Sequence, residues 1–74
     1  MEEISKLLEK GKNNMDSGNF QEALSFFEQA LLINPQDPDL WNLKGTALRS
    51  MGRYEEAIES FNKSLEIEPR NKHS

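Results

Sequence analysis

The stretch LWNLKGTALRSMGRYEEAIESFNKSLEIEP, residues 40–69, decides the fold of this chain. Gly52 separates two segments in which apolar residues return every three or four positions, a spacing that predicts two amphipathic helices. Neither segment alternates apolar and polar residues as a half-exposed strand would. The stretch therefore predicts a helix, a tight turn and a second helix.

The same pattern occurs 34 residues earlier in the chain. A shift by 34 positions superimposes identical residues throughout both halves: Lys10 and Lys44, Gly11 and Gly45, Gly18 and Gly52, Glu22 and Glu56, Ala23 and Ala57, Phe27 and Phe61, Leu31 and Leu65, Ile33 and Ile67, and Pro35 and Pro69. A fixed period of this length predicts a repeat architecture in which each unit is one helical hairpin.

Helix start and stop signals predict four helices, at about 4–17, 20–33, 38–51 and 54–68. Gly18 and Gly52 are placed to take the left-handed conformation that closes a helix. Asp37 is expected to cap the third helix, with Pro38 at its first position. Asn19 is expected to cap the second helix, with Glu22 completing a capping box.

Two glycines in helix interiors predict close contacts between helices. Glycine inside a helix costs about 1 kcal/mol relative to alanine, so Gly11 and Gly45 need a compensating contact. Ala23 and Ala57 are the expected partners across each hairpin. The central aromatic Phe27 is expected to be fully buried, and Trp41 is interpreted as a packed anchor rather than an exposed binding residue.

These residues resemble the tetratricopeptide repeat, a helix-turn-helix unit of 34 residues. The second unit carries the signature residues Trp41, Gly45, Tyr54, Ala57, Phe61 and Pro69, and departs from the pattern at Lys44, Leu48 and Ser64. The first unit agrees at Gly11, Phe20, Ala23, Phe27, Ala30 and Pro35, but has Leu7, Lys10 and Asn14 where the pattern has Trp, Leu and Tyr. The resemblance covers residues 4–71.

The resemblance implies an all-α fold, a right-handed α-solenoid of two antiparallel helix-turn-helix hairpins. Residues 1–74 are expected to form one domain, with repeat one at 4–37, repeat two at 38–71 and a tail at 72–74. The family consists of protein-interaction scaffolds without catalysis, so we expect a module that binds a peptide or helix of another protein.

In the family, the first helix of each repeat lines a concave groove. The matching positions here are Ser5, Leu8, Glu9, Lys12, Met15 and Asp16 in the first repeat, and Asp39, Asn42, Leu43, Thr46, Arg49 and Ser50 in the second. Lys12 and Arg49 would favour an acidic ligand, and Asn42 with Thr46 could hydrogen-bond a peptide backbone. Most such residues on a helix are simply solvated, and that interpretation stays open for each of them.

The outer side of the last helix raises a second hypothesis. Tyr54, Ile58 and Leu65 are expected to pack within their own hairpin, which leaves an uncovered flank around Phe61 and Ser64. That flank could belong to a longer array, associate with another copy of the chain, or remain exposed as a small patch. A structural, self-assembling unit is therefore the alternative function.

Composition excludes several other classes. The chain has 74 residues, a formal net charge of -4 and no cysteine, which argues against nucleic-acid binding and thiolate metal sites. The single histidine, His73, has no partner for a metal, and Glu55, Glu56 and Glu59 are interpreted as a solvated helix face. We expect no catalysis, cofactor or metal, no membrane span, and a cytoplasmic location.

Overall fold

The computed structural model describes residues 2–68, which form four α-helices. They are α1 (Glu2–Asp16), α2 (Phe20–Ile33), α3 (Pro38–Ser50) and α4 (Tyr54–Ile67). Each helix lies within about two residues of its predicted bounds. Pro69 and His73 lie outside the described residues, so the expectations about them stay predictions.

Each helical hairpin closes through a glycine. Gly18 and Gly52 have φ angles of 83° and 81°, the left-handed conformation predicted for both. After Gly18, the amide of Asn19 donates to the carbonyl of Asn14 at 2.8 Å, and after Gly52 the amide of Arg53 donates to Leu48 at 2.9 Å. These are the six-residue bonds of a Schellman closure, and the chain then reverses into the next helix.

The two predicted N-caps differ. Asp37 is extended, at φ -90° and ψ 110°, and its Oδ1 accepts from the amide of Asp39 at 2.9 Å, as expected. Asn19 makes no side-chain cap bond, so the predicted capping box with Glu22 is wrong. Asn19 has a ψ of 70°, short of the extended backbone that a cap uses, and its side-chain amide donates to Oδ1 of Asn14 at 3.3 Å.

The helices pack as two hairpins in series: α1 on α2, α3 on α4, and α2 on α3. The two units thus form the helical solenoid that the period predicts. One buried cluster lies around Phe27, which is 0% exposed as expected, and includes the side chains of Ala23, Leu24, Ala47, Leu48 and Ala57. A second cluster contains Ala30, Leu31 and Leu40.

The helix-interior glycines contact phenylalanine rings rather than the alanines that the sequence suggested. A Cβ on Gly45 would lie 2.7 Å from Cε1 of Phe61, and one on Gly11 would overlap the ring of Phe27. The large ring reaches across the hairpin to the glycine backbone, because only glycine leaves room for it. The expected partners Ala23 and Ala57 are buried in the same cluster, but they are not the nearest neighbours.

Candidate functional site

The candidate groove residues are on the first helix of each hairpin. On α1, Ser5, Glu9 and Lys12 are exposed, whereas Leu8 is partly buried. On α3, the exposed members are Asp39 and Arg49, and the partly buried members are Asn42, Leu43 and Thr46. Each helix therefore combines solvated polar groups with one leucine that turns inward.

Leu8 and Leu43 connect this polar surface to the core. Both side chains pack against both buried clusters, so α1 and α3 pack on the same apolar core. Packing of this kind fixes the rotation of each helix about its own axis, and hence the direction of its polar side chains. The two leucines therefore fix the positions of the candidate groove residues on each helix.

The polar groups of α3 are partly engaged within the helix. The Thr46 hydroxyl donates to the backbone carbonyl of Asn42 at 2.9 Å, so it can offer a ligand only acceptor capacity. Among residues 2–68, the side-chain amide of Asn42 makes no hydrogen bond. Asn42 is thus the member of the pair that can both donate to and accept from a peptide backbone.

The two candidate cations are in different environments. The Arg49 guanidinium lies 5.9 Å from the centre of the Phe61 ring, a cation–π contact that links it to α4. Lys12 has no ion pair or ring contact within the described part of the chain. A negatively charged ligand would therefore find Lys12 unpaired, whereas it would have to draw Arg49 from the ring.

The association face expected at Phe61 and Ser64 is mostly buried. Ser64 is 3% exposed, as deeply buried as its counterpart Ala30, and Phe61 packs on the core cluster and on Gly45. The physical reason is that α4 packs on α3 through its small residues, so Ala57, Ser60 and Ser64 turn inward. Ser64 therefore does not contribute to an exposed flank, whereas Phe61 is partly exposed, and association through these residues stays a prediction.

Three apolar residues of α4 that the sequence predicts to pack within their own hairpin are instead exposed to solvent. Tyr54, Ile58 and Leu65 are 63%, 57% and 50% exposed, and we call them the α4 apolar face. Their counterparts on α2 are Phe20, Leu24 and Leu31, of which the two leucines are only 4% and 7% exposed. The difference arises because α3 packs on α2, whereas within residues 2–68 no further helix follows α4.

A cavity that the sequence did not indicate opens between α2 and α3. Its volume is about 530 Å³, and its walls include Leu31, Leu32, Trp41 and Lys44. Leu32 is 85% exposed there. The sequence carried one signal for this exposed leucine: the equivalent position of the second repeat, 34 residues later, holds the charged residue Glu66.

Trp41 acts mainly as an anchor, in line with its sequence interpretation. It packs against the second buried cluster, and its indole Nε1 donates to the carbonyl of Pro35 at 2.8 Å. The Lys44 ammonium lies 5.1 Å from the ring centre and 3.6 Å from Glu28 on α2. These contacts join the loop between the hairpins to α3.

One ion pair, between Arg53 and Glu56, shifts the pKa values of both of its members. Arg53 donates from Nε and Nη2 to both carboxylate oxygens of Glu56, at 2.9 and 2.7 Å. This bidentate contact lowers the pKa of Glu56 and raises the pKa of Arg53 from their ordinary values. Both groups are exposed, and the pair joins the residue that precedes α4 to the first turn of that helix.

The described residues offer little for other chemistry. Residues 2–68 contain no group of three His, Asp or Glu side chains placed to hold a metal ion. In the same part of the chain, every helix is too short or too polar to cross a bilayer.

Comparison with known proteins assigns both halves of the chain to one family. Tetratricopeptide repeat models match residues 6–37 and residues 38–71. An uncharacterized protein of Methanocaldococcus jannaschii is 41% identical over 64 residues, which cover 86% of this chain and 74% of that protein.

Two longer relatives share the repeat over a small part of their length. The Peroxisomal targeting signal receptor of Saccharomyces cerevisiae is 37% identical over 69% of this chain, but the match covers 8% of the receptor. The Hsp70-Hsp90 organising protein of Plasmodium falciparum is 36% identical over 89% of this chain and 26% of that protein. The chain therefore belongs to the tetratricopeptide repeat family, whose repeats are protein-interaction modules.

Proposed function

We propose that this chain binds a peptide or a helix of a partner protein along the outward polar faces of α1 and α3. The observation that carries the proposal is that α1 and α3 pack on the same apolar core. Leu8 and Leu43 rest on the same buried clusters, while Lys12 and Asn42 keep unpaired polar groups. Peptide recognition favours hydrogen-bond donors that are unsatisfied and already fixed in position on a helix. Such donors lose little conformational entropy when the ligand binds.

The relatives support an interaction role in general terms. One is named as a receptor for a targeting signal and another as an organiser of Hsp70 and Hsp90. The match covers only a small part of each, so their partners are not carried over to this chain. For this chain, Lys12 and Arg49 favour an acidic segment, which is the partner chemistry we propose.

A phage-displayed random peptide library can supply the probe. A selected peptide, titrated into isotope-labelled protein, should shift the amide resonances of Glu9, Lys12, Asn42 and Thr46 more than those of α4. Shifts confined to α4 or to the Trp41 cavity would refute the groove.

A matched pair of charge reversals sharpens this test. Lys12→Glu should weaken binding of an acidic peptide by about tenfold, because it replaces an attraction with a repulsion near the ligand. Lys6→Glu makes the same change on α1, at another exposed position outside the candidate groove, and should leave affinity within about twofold. If the two variants weakened peptide binding equally, Lys12 would contribute only through the net charge of the protein.

The alternative function, a structural self-assembling unit, is favoured by a different observation. The α4 apolar face is solvent-exposed, whereas the equivalent leucines of α2 are covered. This surface is on another helix and does not involve the groove residues, so the two functions can be tested separately.

A further inference from the structure

The walls of the cavity between α2 and α3 are fixed before any ligand binds. Its volume is about 530 Å³, and ligand sites in proteins usually measure about 300–1,000 Å³. Trp41 forms one wall, and the 2.8 Å bond from its indole to the Pro35 carbonyl holds its orientation. The Lys44 ammonium lies 5.1 Å from the centre of the same ring. A ligand would therefore lose little free energy in ordering this wall.

The opposite wall is one side of α2. Ser25, Glu28, Gln29 and Leu32 all line the cavity, and their spacing of three, four and seven residues from Ser25 places them on one face of the helix. Leu32 is 85% exposed. An apolar group that entered the cavity would cover Leu32 and part of the Trp41 ring, which removes apolar surface from water.

The polar atoms at the rim of the cavity are mainly acceptors. One carboxylate oxygen of Glu28 pairs with the Lys44 ammonium at 3.6 Å, and the amide nitrogen of Gln29 donates to the Ser25 hydroxyl at 3.4 Å. Within residues 2–68, the other oxygen of Glu28 and the side-chain carbonyl of Gln29 make no hydrogen bond. The Lys44 side chain is 24% exposed and that of Glu28 is 51% exposed, so a ligand meets the carboxylate first.

A second depression, between α3 and α4, adds negative charge beside the cavity. It shares Trp41 and Lys44 with the cavity, and its other charged members are Glu56, Glu59 and Lys63. Glu56 and Lys63 each have a partner of opposite charge at the surface. Glu59 makes no ion pair within the described part of the chain. The unpaired charge on both sides of Trp41 is therefore negative, in keeping with the net charge of -4.

We propose that the α2–α3 cavity binds a segment of a partner protein in which an apolar side chain of leucine size lies next to lysine or arginine. The apolar side chain covers Leu32 and Trp41, and the neighbouring cation pairs with Glu28 or Glu59. This site has the opposite charge preference to the groove on α1 and α3. Trp41 and Lys44 are on a different face of α3 from Asn42, so the proposal does not rest on the groove.

Three capped pentapeptides test this chemistry. The probe is acetyl-Gly-Lys-Leu-Lys-Gly-amide, and in the two controls Glu replaces both lysines or Ala replaces the leucine. Each is titrated into isotope-labelled protein, with the Trp41 indole and the Leu32 amide as reporters. The probe should bind at least about tenfold more tightly than the acidic control, because like charges repel at the rim. It should bind about fivefold more tightly than the alanine control, because leucine buries more apolar surface.

Each comparison has a result that overturns the proposal. Equal binding of the leucine and alanine peptides would exclude the apolar cavity as the contact. Tighter binding of the acidic control would reverse the charge assigned to the partner. Unchanged resonances of Trp41 and Leu32 at millimolar probe would exclude the site itself.

A matched pair of apolar substitutions locates the contact. Leu32→Gln should weaken binding of the probe about fivefold, because the peptide leucine loses its apolar neighbour. Ile58→Gln makes a similar change on α4, outside the cavity, and should leave the affinity within about twofold. Both side chains are more than half exposed, so far-UV circular dichroism should show an intact helical fold. Equal weakening by the two variants would overturn the assignment to the cavity.

A second pair tests the charge. Glu28→Lys should weaken binding of the probe about tenfold, because it replaces an attraction with a repulsion. Glu22→Lys makes the same change at an exposed position of α2 that does not line the cavity, and should leave the affinity within about twofold. Equal effects would overturn the contact with Glu28. Lys12→Glu alters α1, which does not line the cavity, and should not weaken this binding, so the groove and the cavity can fail separately.

Discussion

The aromatic ring of Phe61 fills the space that a side chain on Gly45 would need, with 2.7 Å between Cε1 and a Cβ built at position 45. The same relationship holds between Phe27 and Gly11 in the first hairpin. The two glycines are therefore required by packing, against their own poor helix propensity.

Gly11→Ala should destabilise the protein although alanine is the better helix former. The helix propensity gain is about 1 kcal/mol, whereas overpacking in a dense core costs about 1 to 3 kcal/mol. Phe27 is 0% exposed and has no room to move, whereas Phe61 is partly exposed and can rotate outward. Urea unfolding should thus show a net loss for Gly11→Ala and a smaller one for Gly45→Ala, and a gain in both variants would refute the ring contact as the cause.

Phe27→Ala should lower the free energy of unfolding by about 3 to 5 kcal/mol, because it removes a fully buried aromatic ring and leaves a cavity. Phe61→Ala is the matched variant in the second hairpin and should cost less, since that ring already has solvent on one side. Chemical unfolding followed by circular dichroism measures both. A loss below about 1 kcal/mol for Phe27→Ala would contradict the core described above.

The two helix caps should respond differently to alanine. Asp37→Ala removes a cap bond of 2.9 Å and should cost about 0.5 to 2 kcal/mol. Asn19→Ala should cost less than about 0.5 kcal/mol, because Asn19 makes no cap bond and only a long contact with Asn14. Thermal unfolding of the two variants compares them directly; equal losses would mean that Asn19 caps α2 in solution.

Acid should release the Arg53–Glu56 pair. Because the pKa of Glu56 is lowered in the folded state, the pair stabilises the fold above the unfolded pKa, and this contribution is lost as pH falls through the folded pKa. The effect on stability is small, since both groups are exposed. An NMR titration of the Glu56 carboxyl carbon should show a higher pKa in Arg53→Gln than in the parent chain, and identical titrations would contradict the contact.

The helices were predictable because local chemistry decides where they begin and end. Gly18 and Gly52 take the left-handed conformation, and Pro38 with Asp37 starts α3. Asn19 was mispredicted because a capping residue type does not determine backbone geometry when a Schellman closure precedes it. The capping-box pattern cannot reveal that the amide of Asn19 is already committed to Asn14.

The apolar faces of α4 were harder to predict, because periodicity identifies a stripe but not which edge of it meets a neighbour. Tyr54, Ile58, Phe61 and Leu65 share one side of the helix, yet only Phe61 lies against α3. Ser64 looked like a solvent-tolerant substitution and is instead a small residue that permits close packing. The groove residues follow from the family register alone, and their role stays a prediction.

The bond between the Trp41 indole and the Pro35 carbonyl gives the molecule a built-in optical reporter. The chain contains a single tryptophan, and it stands where one hairpin is joined to the next. Its emission therefore reports separation of the two hairpins, whereas far-UV circular dichroism reports loss of helix. If the emission changes at lower denaturant than the dichroism, the joint opens while both hairpins are still folded, and the free energy of coupling between neighbouring repeats can be read from the unmodified chain.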